Sequence, residues 1–392
     1  MLKRTRSFLV LVMLLMTVTM SAQVTTATMS GKVTAQDEPI IGATIVAIHE
    51  PSGTRYGTVT NVSGQFNLQG MRTGGPYKVE ISYVGYQTAI YKGINLLLGE
   101  NYVLNVSLKE SSELLDEVVV TASKESNMKS DRAGAIMNAN RDMISNTPTI
   151  SRSISDIMRL SPQGADVGNG FAVGGGNYRQ SFVTVDGAAF NNTFGLGGNL
   201  PANGSPISLD ALEQVTVAVT PFDVRQSGFT GGAINAVTRS GDNQFRGTVY
   251  GYFNNENLRG DKVEDYKLTR SKSQYYTYGA SFGGPIIKDK LFFFVNGEYE
   301  DNVTAGSSYQ PRTSLDQEYT GNVRRPVENT IVDGNETWVG LNDMRQYLKE
   351  KYNYDPGRYN NYSVNTPAYR IMARLDWNAN LNNKLSLRFT KT

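Results

Sequence analysis

The residues that could perform chemistry in this chain are few. Its 392 residues include no cysteine and a single histidine, His49. A mechanism that pairs a nucleophile with histidine would have to use His49 alone, and a structural zinc site needs cysteines or several histidines. His49 ends an apolar stretch beside Glu50 and Pro51, where a structural role is expected. The sequence therefore predicts no enzyme, no metal site and no cofactor.

A glycine-rich stretch, Gly174–Gly176, is a second candidate, because such loops can cradle phosphates. No Lys followed by Ser or Thr comes after it, so the phosphate-binding pattern is absent and a structural loop is predicted. Asp186 and Asp223 are predicted to be turn residues rather than catalytic acids. The formal net charge is only +2, which provides no general footprint for nucleic acid.

The remaining candidate is a short β-branched run between two polar stretches. It consists of Asp116, Glu117, Val118, Val119, Val120, Thr121 and Ala122. Such a segment can add itself to the edge of another protein's sheet, where main-chain hydrogen bonds provide affinity. It can equally be an ordinary edge strand of a neighbouring domain. The pattern alone leaves both interpretations open.

The first 22 residues are predicted to be a secretory signal peptide. A basic start at Lys3, Arg4 and Arg6 precedes an apolar stretch that ends at Met20, and Ser21-Ala22 supplies small residues for cleavage. A membrane anchor is disfavoured because the apolar run is shorter than about 20 residues. No later run of about 18 apolar residues occurs, so we expect a periplasmic protein, a secreted protein or an outer-membrane barrel.

Residues 23–110 are predicted to form a small immunoglobulin-like antiparallel β-sandwich, because short strands alternate there with turn signals. The predicted strands are Ser30–Thr34, Ala43–Ile48, Gly57–Thr60, Gln65–Leu68, Tyr77–Val84 and Tyr102–Leu108. Gly64 marks a tight turn from which Phe66 returns to the core. Residues 111–132 are a linker that contains the β-branched run.

Residues 133–241 are predicted to form an α+β domain with glycine-rich loops. Its predicted elements are a helix over Ser151–Leu160, a strand over Phe182–Asp186, and a helical start at Leu209–Gln214 that runs into a strand at Val215–Val219. Ile154, Ile157 and Met158 share one face of the helix, and Pro162 stops it.

Residues 242–392 alternate apolar and polar side chains in about five strands, as membrane strands with an apolar outside and a polar inside do. The predicted strands are Phe245–Phe253, Tyr276–Phe282, Leu291–Gly297, Tyr369–Trp377 and Leu385–Phe389. Their connections are long, short, long and short in turn, which fits external loops and periplasmic turns. The longest, Asp301–Ala368, is predicted to carry a helix near Asn342–Lys351 with Asn342 as its N-cap.

Five strands cannot close, since barrels of this kind have about eight or more and a plugged barrel about 22. An open sheet edge in lipid would leave backbone groups without hydrogen bonds. We therefore expect the chain to be the N-terminal fragment of a larger protein; a truncated gene product that never inserts is the alternative.

Several motifs resemble known families. Segments of the sandwich resemble the carboxypeptidase-regulatory-like domain, namely Gly31–Val33, Pro39–Ile45, Thr60–Phe66 and Ile81–Tyr86, with Asn61 where that family usually has Asp. The α+β domain is similar to the plug of TonB-dependent receptors at Ser155–Pro162, Phe182–Gly187, Leu212–Val217 and Gly228–Asn235. Pro221–Gly228 resembles the Oar-like branch of that family, and the starch-uptake branch has a similar layout.

The resemblance implies a mainly β outer-membrane receptor of a Gram-negative cell. Leu115–Ala122 resembles the TonB box, which implies that Asp116–Ala122 pairs with TonB on the periplasmic side. The plug of that family occludes the barrel until TonB pulls, so the implied function is energised import of a substrate. A peptide or protein, a glycan or chelated iron are the candidates, and outer-membrane lipid is the second expected partner. The alternative is a structural or adhesive envelope protein that binds a partner without transport.

Overall fold

The computed structural model describes residues 25–110, 118–121, 136–149, 152–167, 170–191, 200–201, 204–219, 231–258, 260–267, 272–306, 310–311, 323–324, 328–332, 335–339, 341–358, 362–381 and 383–392. The predicted signal peptide, Asp223 and the segment Pro221–Gly228 lie outside these residues. Within the described part of the chain, no helix is both long and apolar enough to cross a membrane.

The chain divides into two compact units. The first comprises Met1–Val249, Ala280–Glu298 and Tyr369–Thr392, and the second comprises Tyr250–Gly279 and Tyr299–Ala368. The first unit contains a sandwich, a central domain and one part of a sheet of long strands. The second contains further residues of the long strands and their long connections.

The sandwich is built from short strands whose apolar residues alternate with exposed ones. They are β1 (Ala27–Ala35), β2 (Glu38–Pro39), β3 (Thr44–His49), β4 (Thr54–Val59), β5 (Gln65–Met71), β6 (Gly74–Ser82), β7 (Ala89–Leu96), β8 (Asn101–Val103), β9 (Val106–Ser107) and β10 (Val118–Thr121). One sheet has the order β2-β1-β5, with β8 and β9 also on β1, and the other has the order β10-β7-β6-β3-β4. The two sheets enclose one apolar core in which Met29, Ile45 and Tyr77 are fully buried.

The predicted sandwich is confirmed, but its wholly antiparallel pairing is wrong. β8 and β9 run parallel to β1, and β10 runs parallel to β7. The chain crosses from β7 to the other sheet and enters beside β1 in the same direction, which a hairpin cannot do. Strand β7 is absent from the prediction, because Lys92-Gly93 interrupts its alternation. Gly64 has φ +72° and Phe66 is buried, as expected.

In its described residues, the central domain contains a five-stranded sheet, a hairpin and two short helices. Its strands are β11 (Ile136–Asn140), β12 (Gly164–Asp166), β13 (Phe171–Val173), β14 (Phe182–Val185), β15 (Ala188–Ala189), β16 (Leu212–Ala218) and β17 (Ala233–Thr238). The sheet order is β11-β16-β17-β14-β15, and β12 pairs with β13. Its helices are α1 (Arg141–Asn146) and α2 (Ile154–Met158), with 3₁₀ turns at Tyr178–Gln180 and Leu209–Ala211.

The helices of the central domain differ in length from those predicted. Helix α2 begins after Ser153, whose side chain forms a capping box with Asp156, and ends four residues before Pro162. It is therefore shorter than Ser151–Leu160, although Ile154, Ile157 and Met158 are buried on it as predicted. The helical start at Leu209 ends at Ala211, and Leu212 already belongs to β16. Helix α1 was not predicted from the sequence.

The third part of the chain is a meander sheet with the order β18-β21-β22-β27-β28. The strands after residue 241 are β18 (Arg246–Asn255), β19 (Lys262–Val263), β20 (Tyr266–Lys267), β21 (Ser273–Ile287), β22 (Leu291–Ala305), β23 (Gln310–Pro311), β24 (Val323–Arg324), β25 (Glu328–Val332), β26 (Asn335–Val339), β27 (Ser363–Asn378) and β28 (Lys384–Lys391). The five predicted strands all occur, and β21, β22 and β27 reach 15, 15 and 16 residues.

The connections also follow the predicted order of long, short, long and short. The two short connections lie between β21 and β22 and between β27 and β28. The longest connection carries helix α3 (Leu341–Tyr352), as predicted near Asn342–Lys351. The helix begins at Leu341, so Asn342 lies in its first turn and the prediction of an N-cap at that residue is wrong.

Candidate functional site

The functional candidate in the described structure is the contact between the central domain and one face of the meander sheet. Along β27 every second residue is buried, beginning with Ala368, Arg370 and Met372. The residues between them face the other way and stay exposed, such as Tyr369 at 49 % and Trp377 at 48 %. The strand period of two thus separates a charged inner face from an apolar outer face. This is the predicted alternation, with the buried side covered by the central domain.

A first charged cluster, the Arg370 cluster, joins the central domain to the meander sheet near the middle of the sheet. Arg370 Nη1 donates to Glu298 Oε1 at 2.7 Å, and the two side chains are only 3 % and 2 % exposed. Ser208 of the central domain donates to the other Glu298 oxygen at 2.8 Å. Arg370 Nε also donates to the carbonyl of Ser205. Sheet and central domain therefore satisfy each other's buried charges.

A second group, the Asp376 cluster, lies closer to the short turns. Arg374 donates from Nε to Asp376 at 2.8 Å and from Nη1 to the Thr238 carbonyl at 2.6 Å. The Asp376 carboxylate also accepts hydrogen bonds of 2.6 Å from Ser240 and of 2.6 Å from Ser386. Two strands of the sheet and the end of β17 are fixed by one carboxylate and one guanidinium.

Asp186 connects the turn after β14 to the same region. It adopts φ +51°, which fits the predicted turn with Gly187. Its carboxylate accepts a 3.0 Å hydrogen bond from the Thr238 amide and lies 3.4 Å from Arg388 Nε. Asp186 is therefore both a turn residue and an electrostatic link to the sheet, a role that its sequence context did not indicate.

Apolar contacts complete the same surface. Phe294 and Met372 of the sheet belong to the buried core of the central domain, together with residues such as Ile157 and Val217. The guanidinium of Arg239 lies 4.8 Å from the centre of the Phe294 ring, a cation–π distance. The interface thus combines a small apolar contact with two charged clusters.

The sandwich contacts the end of the sheet that carries the short turns. The Asn378 side chain donates to Thr54 Oγ1 at 2.9 Å, and the Asn243 amide donates to the Pro51 carbonyl at 2.9 Å. Lys384 lies 3.8 Å from the centre of the Tyr56 ring. The loop after β7 contacts the central domain, because the Leu98 amide donates to Gln214 Oε1 at 3.1 Å.

A cavity of about 750 Å³ lies where sandwich, central domain and sheet meet. Its lining is predominantly cationic and comprises Arg72, Arg141, Arg239, Arg246, Arg374, Lys384 and Arg388 against Glu213, Asp242 and Asp376. Arg72 of the sandwich contacts Ser240 and donates to the Gly241 carbonyl at 3.3 Å, so it extends the Asp376 cluster to the sandwich.

His49 also borders this cavity and is packed as a structural residue. Its Nδ1 lies at hydrogen-bonding distance, 2.7 Å, from Ser52 Oγ, and its ring makes an edge contact with Tyr77 at 5.0 Å. Burial, with a smaller contribution from the nearby Arg72 charge, lowers the pKa of His49 to about 3. The side chain is therefore neutral at physiological pH.

The predicted partner-binding run is described in part. Val118–Thr121 form β10, which pairs with β7 of the sandwich, whereas Asp116, Glu117 and Ala122 lie outside the described residues. Among the described residues, Val118–Thr121 thus form an edge strand of the neighbouring domain, one of the two interpretations that the pattern left open. Its role in binding a partner stays a prediction.

Sequence reasoning placed Arg370, Arg374 and Asp376 in an alternating strand but assigned them no function. The available signal was their spacing, since residues at i, i+4 and i+6 of a strand share one face. Three ionisable side chains on one face need buried partners or water. Their partners were not identifiable, because Glu298 and Ser205 are 72 and 165 residues away in sequence.

Comparison with protein families supports both predicted domain types. Residues 237–392 match the outer membrane beta barrel domain, and residues 28–109 match the carboxypeptidase regulatory-like domain. The first covers the meander sheet and the second covers the sandwich. Both matches agree with the resemblance that the sequence motifs carry.

Known relatives are receptors and transporters. The chain is 32 % identical over 151 residues to the TonB-dependent transporter Oar of Myxococcus xanthus, which covers 37 % of this chain and 14 % of that protein. It is 29 % identical over 281 residues to the TonB-dependent receptor SusC of Bacteroides thetaiotaomicron, covering 68 % of this chain and 26 % of SusC. The chain therefore spans about a quarter or less of the length of these relatives.

The chain is also similar to the solved structure of the siderophore receptor PirA from Acinetobacter baumannii. It is 16 % identical, with a TM-score of 0.41, and the match covers 65 % of this chain and 31 % of PirA.

Proposed function

We propose that this chain, a member of the TonB-dependent receptor family, contributes to an outer-membrane transporter that binds a substrate outside the cell and imports it. The energy would come from TonB, which would pull on Asp116–Ala122. The central domain, which corresponds to the predicted plug over 133–241, would then move to open a path.

The observation that carries this proposal is the charged inner face of the meander sheet. A wall that is apolar outside and charged inside suits lipid on one side and a polar lumen on the other. Here the charged side holds a separate domain through the Arg370 and Asp376 clusters. This is the arrangement expected of a wall and an occluding domain.

The chemistry of the contact supports movement of the central domain. An apolar interface would lose its whole hydrophobic contribution when water enters. Hydrogen bonds such as Ser208–Glu298 and Arg374–Thr238 are exchanged for bonds to water, at a net cost of only about 0.5–1.5 kcal/mol each for neutral pairs and about twice that for charged ones. A domain held mostly by such bonds is stable at rest and displaceable under a directed pull.

The position of the sandwich supports an orientation in which the short turns of the sheet face the periplasm. It contacts the sheet at the short turns, through Thr54 with Asn378 and Pro51 with Asn243. Short turns of outer-membrane barrels face the periplasm, and long loops face outside. The sandwich and β10 would therefore lie on the side where TonB acts, and the long connections would face the substrate.

The substrate class is not indicated by the described residues. Peptides or proteins, glycans and chelated iron all remain candidates, and the cationic cavity lies at the end of the sheet that carries the short turns.

The test is a deletion of Asp116–Ala122 from the receptor in its own outer membrane. We expect energised uptake to be lost while substrate binding at the cell surface persists, because binding needs no pull. Deletion of the equally long neighbouring segment Ser123–Lys129 is the matched control and should leave most uptake intact. Unchanged uptake without Asp116–Ala122 would contradict the proposal and favour a structural or adhesive protein.

A further inference from the structure

The cavity between the sandwich, the central domain and the meander sheet carries more positive charge than its own carboxylates balance. All of its lining residues belong to the first unit, and its volume of about 750 Å³ is within the range of about 300–1,000 Å³ that is usual for small-molecule sites. Among the described residues that line it, seven are cationic and three are acidic. The proposed transport leaves this excess of cations without a role.

The acidic residues of the lining already have cationic neighbours. The pairs are Asp376 with Arg374 at 2.8 Å, Asp242 with Arg246 at 3.6 Å and Glu213 with Arg141 at 3.9 Å. The carboxylates are therefore matched, and the excess falls on the remaining cations.

Arg239 is the unmatched cation of the central domain. Its side chain is buried, and no carboxylate of the described residues lies within ion-pairing distance of it. Its Nη1 donates to the Asp210 carbonyl at 3.2 Å, and its guanidinium lies over the Phe294 ring, so neither contact brings a full negative charge. Burial, followed by the nearby Arg141 charge, lowers the pKa of Arg239 to about 10. An anion beside Arg239 would relieve both effects.

Lys384 supplies a second unmatched charge, from the start of β28. Its Nζ lies 3.8 Å from the centre of the Tyr56 ring and donates to the Leu381 carbonyl at 3.4 Å. In the described part of the chain it has no carboxylate at ion-pairing distance. Arg388 of the same strand also lines the cavity, and its buried Nε has no hydrogen-bond partner among the described residues, although Asp186 lies 3.4 Å away.

We propose that this cavity binds a small polyanion with at least two carboxylate or phosphate groups, which Arg239 and Lys384 contact from opposite partners, the central domain and the sheet. Six of the seven cations are arginines, whose planar fork matches two oxygens of a carboxylate or a phosphate. The volume suits a small molecule rather than a polymer. The alternative is a cavity that holds only water and chloride, which carries one charge and has no pair of oxygens for the fork.

Such a ligand would also link the three parts of the chain that line the cavity. Arg72 comes from the sandwich, Arg239 from the central domain and Lys384 from the sheet. A ligand that needs all three binds only while they are together, and it stabilises that arrangement by mass action. At a ligand concentration of 100 times Kd, the separated state becomes about 100-fold less populated.

Calorimetric titration of the purified receptor with citrate and with pyrophosphate tests the proposal. The first probe carries carboxylates and the second carries phosphates, so the tighter one identifies the preferred group. In a buffer without divalent cations and with about 150 mM sodium chloride, we expect a Kd below about 1 mM for at least one probe. A Kd above about 1 mM for both would overturn the proposal and favour water and chloride.

Two variants assign the binding to the cavity. Arg239→Met and Lys384→Met each remove one unmatched charge, and each should weaken binding at least about fivefold. Arg55→Met is the matched control, because Arg55 is exposed on β4 and does not line the cavity although Tyr56 does. It should change Kd less than about twofold. The two cavity variants lie on different elements, so thermal melting identifies one that folds; a loss smaller than about fivefold in every folded variant would overturn the proposal.

Amide exchange tests the linking role separately. The Asn243 amide donates to the Pro51 carbonyl at 2.9 Å across the contact between sheet and sandwich. A saturating probe should slow exchange in the peptide that contains Asn243 by about tenfold or more in the wild type, because separation of the parts becomes rarer. The same addition should have no effect in Lys384→Met. Unchanged exchange in the wild type with the probe bound would show that the ligand does not link the parts.

Discussion

The buried pair of Arg370 and Glu298 yields the most quantitative prediction. Both side chains are almost completely buried, at 3 % and 2 % exposure, and their closest atoms are 2.7 Å apart. Replacing Arg370 by Met leaves the Glu298 carboxylate in place with the hydrogen bond from Ser208. Removing one partner of a buried ion pair costs about 3–5 kcal/mol, mostly because the other charge stays desolvated.

That cost falls on the state in which the central domain contacts the sheet, because water reaches Glu298 once the domain moves away. With about 1.4 kcal/mol for each factor of ten, the displaced state should become roughly 100-fold to several thousand-fold more populated. The assay is entry of a large antibiotic that an intact outer membrane excludes, or ion conductance of the purified receptor in a planar bilayer. Both should rise in Arg370→Met.

Two variants make this prediction specific. Arg246→Met removes an arginine that is 59 % exposed and lies 3.6 Å from Asp242, and an exposed pair of this kind is worth at most about 1 kcal/mol. The double variant Arg370→Met with Glu298→Leu removes both buried charges and should recover most of the loss. If antibiotic entry or conductance is no higher in Arg370→Met than in Arg246→Met, the Arg370 cluster does not hold the central domain and the reasoning fails.

Two further predictions concern the sandwich and the outer face. Burial lowers the pKa of His49 to about 3 in the folded sandwich, whereas the ordinary value of 6.5 applies in the unfolded chain. Below pH 6.5 the unfolded chain therefore takes up a proton that the folded sandwich does not. The free energy of unfolding of the sandwich should fall by about 2 kcal/mol between pH 7.5 and pH 5. Chemical denaturation of residues 24–110 measures this, and a drop of the same size in His49→Gln would show that another group is responsible. Ile371→Arg places a charge on the apolar outer face, where Ile371 is 47 % exposed, and should cost up to about 2–4 kcal/mol and reduce folded receptor in the outer membrane. Ile41→Arg, at 55 % exposure on the sandwich, is the control, and equal losses in both variants would show that Ile371 does not face lipid.

The parts of the structure that the sequence predicts well are those set by local periodicity. The alternation of β22 and β27 needs only neighbouring residues, and it assigned Val295 and Glu298 to opposite faces correctly. The short turns and the helix Leu341–Tyr352 follow from equally local signals. Family resemblance supplied the order of domains, which no periodicity contains.

The parts that were missed depend on contacts between distant residues. Strand β7 is interrupted by the bulge at Gly93, whose form is set by pairing with β6 rather than by its own sequence. The parallel pairing of β10 with β7 joins residues that are 29 apart and has no hairpin signature. The roles of Arg370 and Asp186 required knowledge of which surfaces meet, since charged residues at strand positions indicate a face but not a partner.

The central claim is that the central domain leaves the wall during transport, and the accessibility of Ser208 tests it most directly. Ser208 is fully buried and donates to Glu298 at the contact between the two. Because these 392 residues contain no cysteine, Ser208→Cys would supply the only thiol among them. In cells that import substrate, a membrane-impermeant thiol reagent should label this cysteine. In cells without proton-motive force or without Asp116–Ala122, the same cysteine should stay unlabelled. An unlabelled cysteine in cells that import substrate at the normal rate would contradict the account.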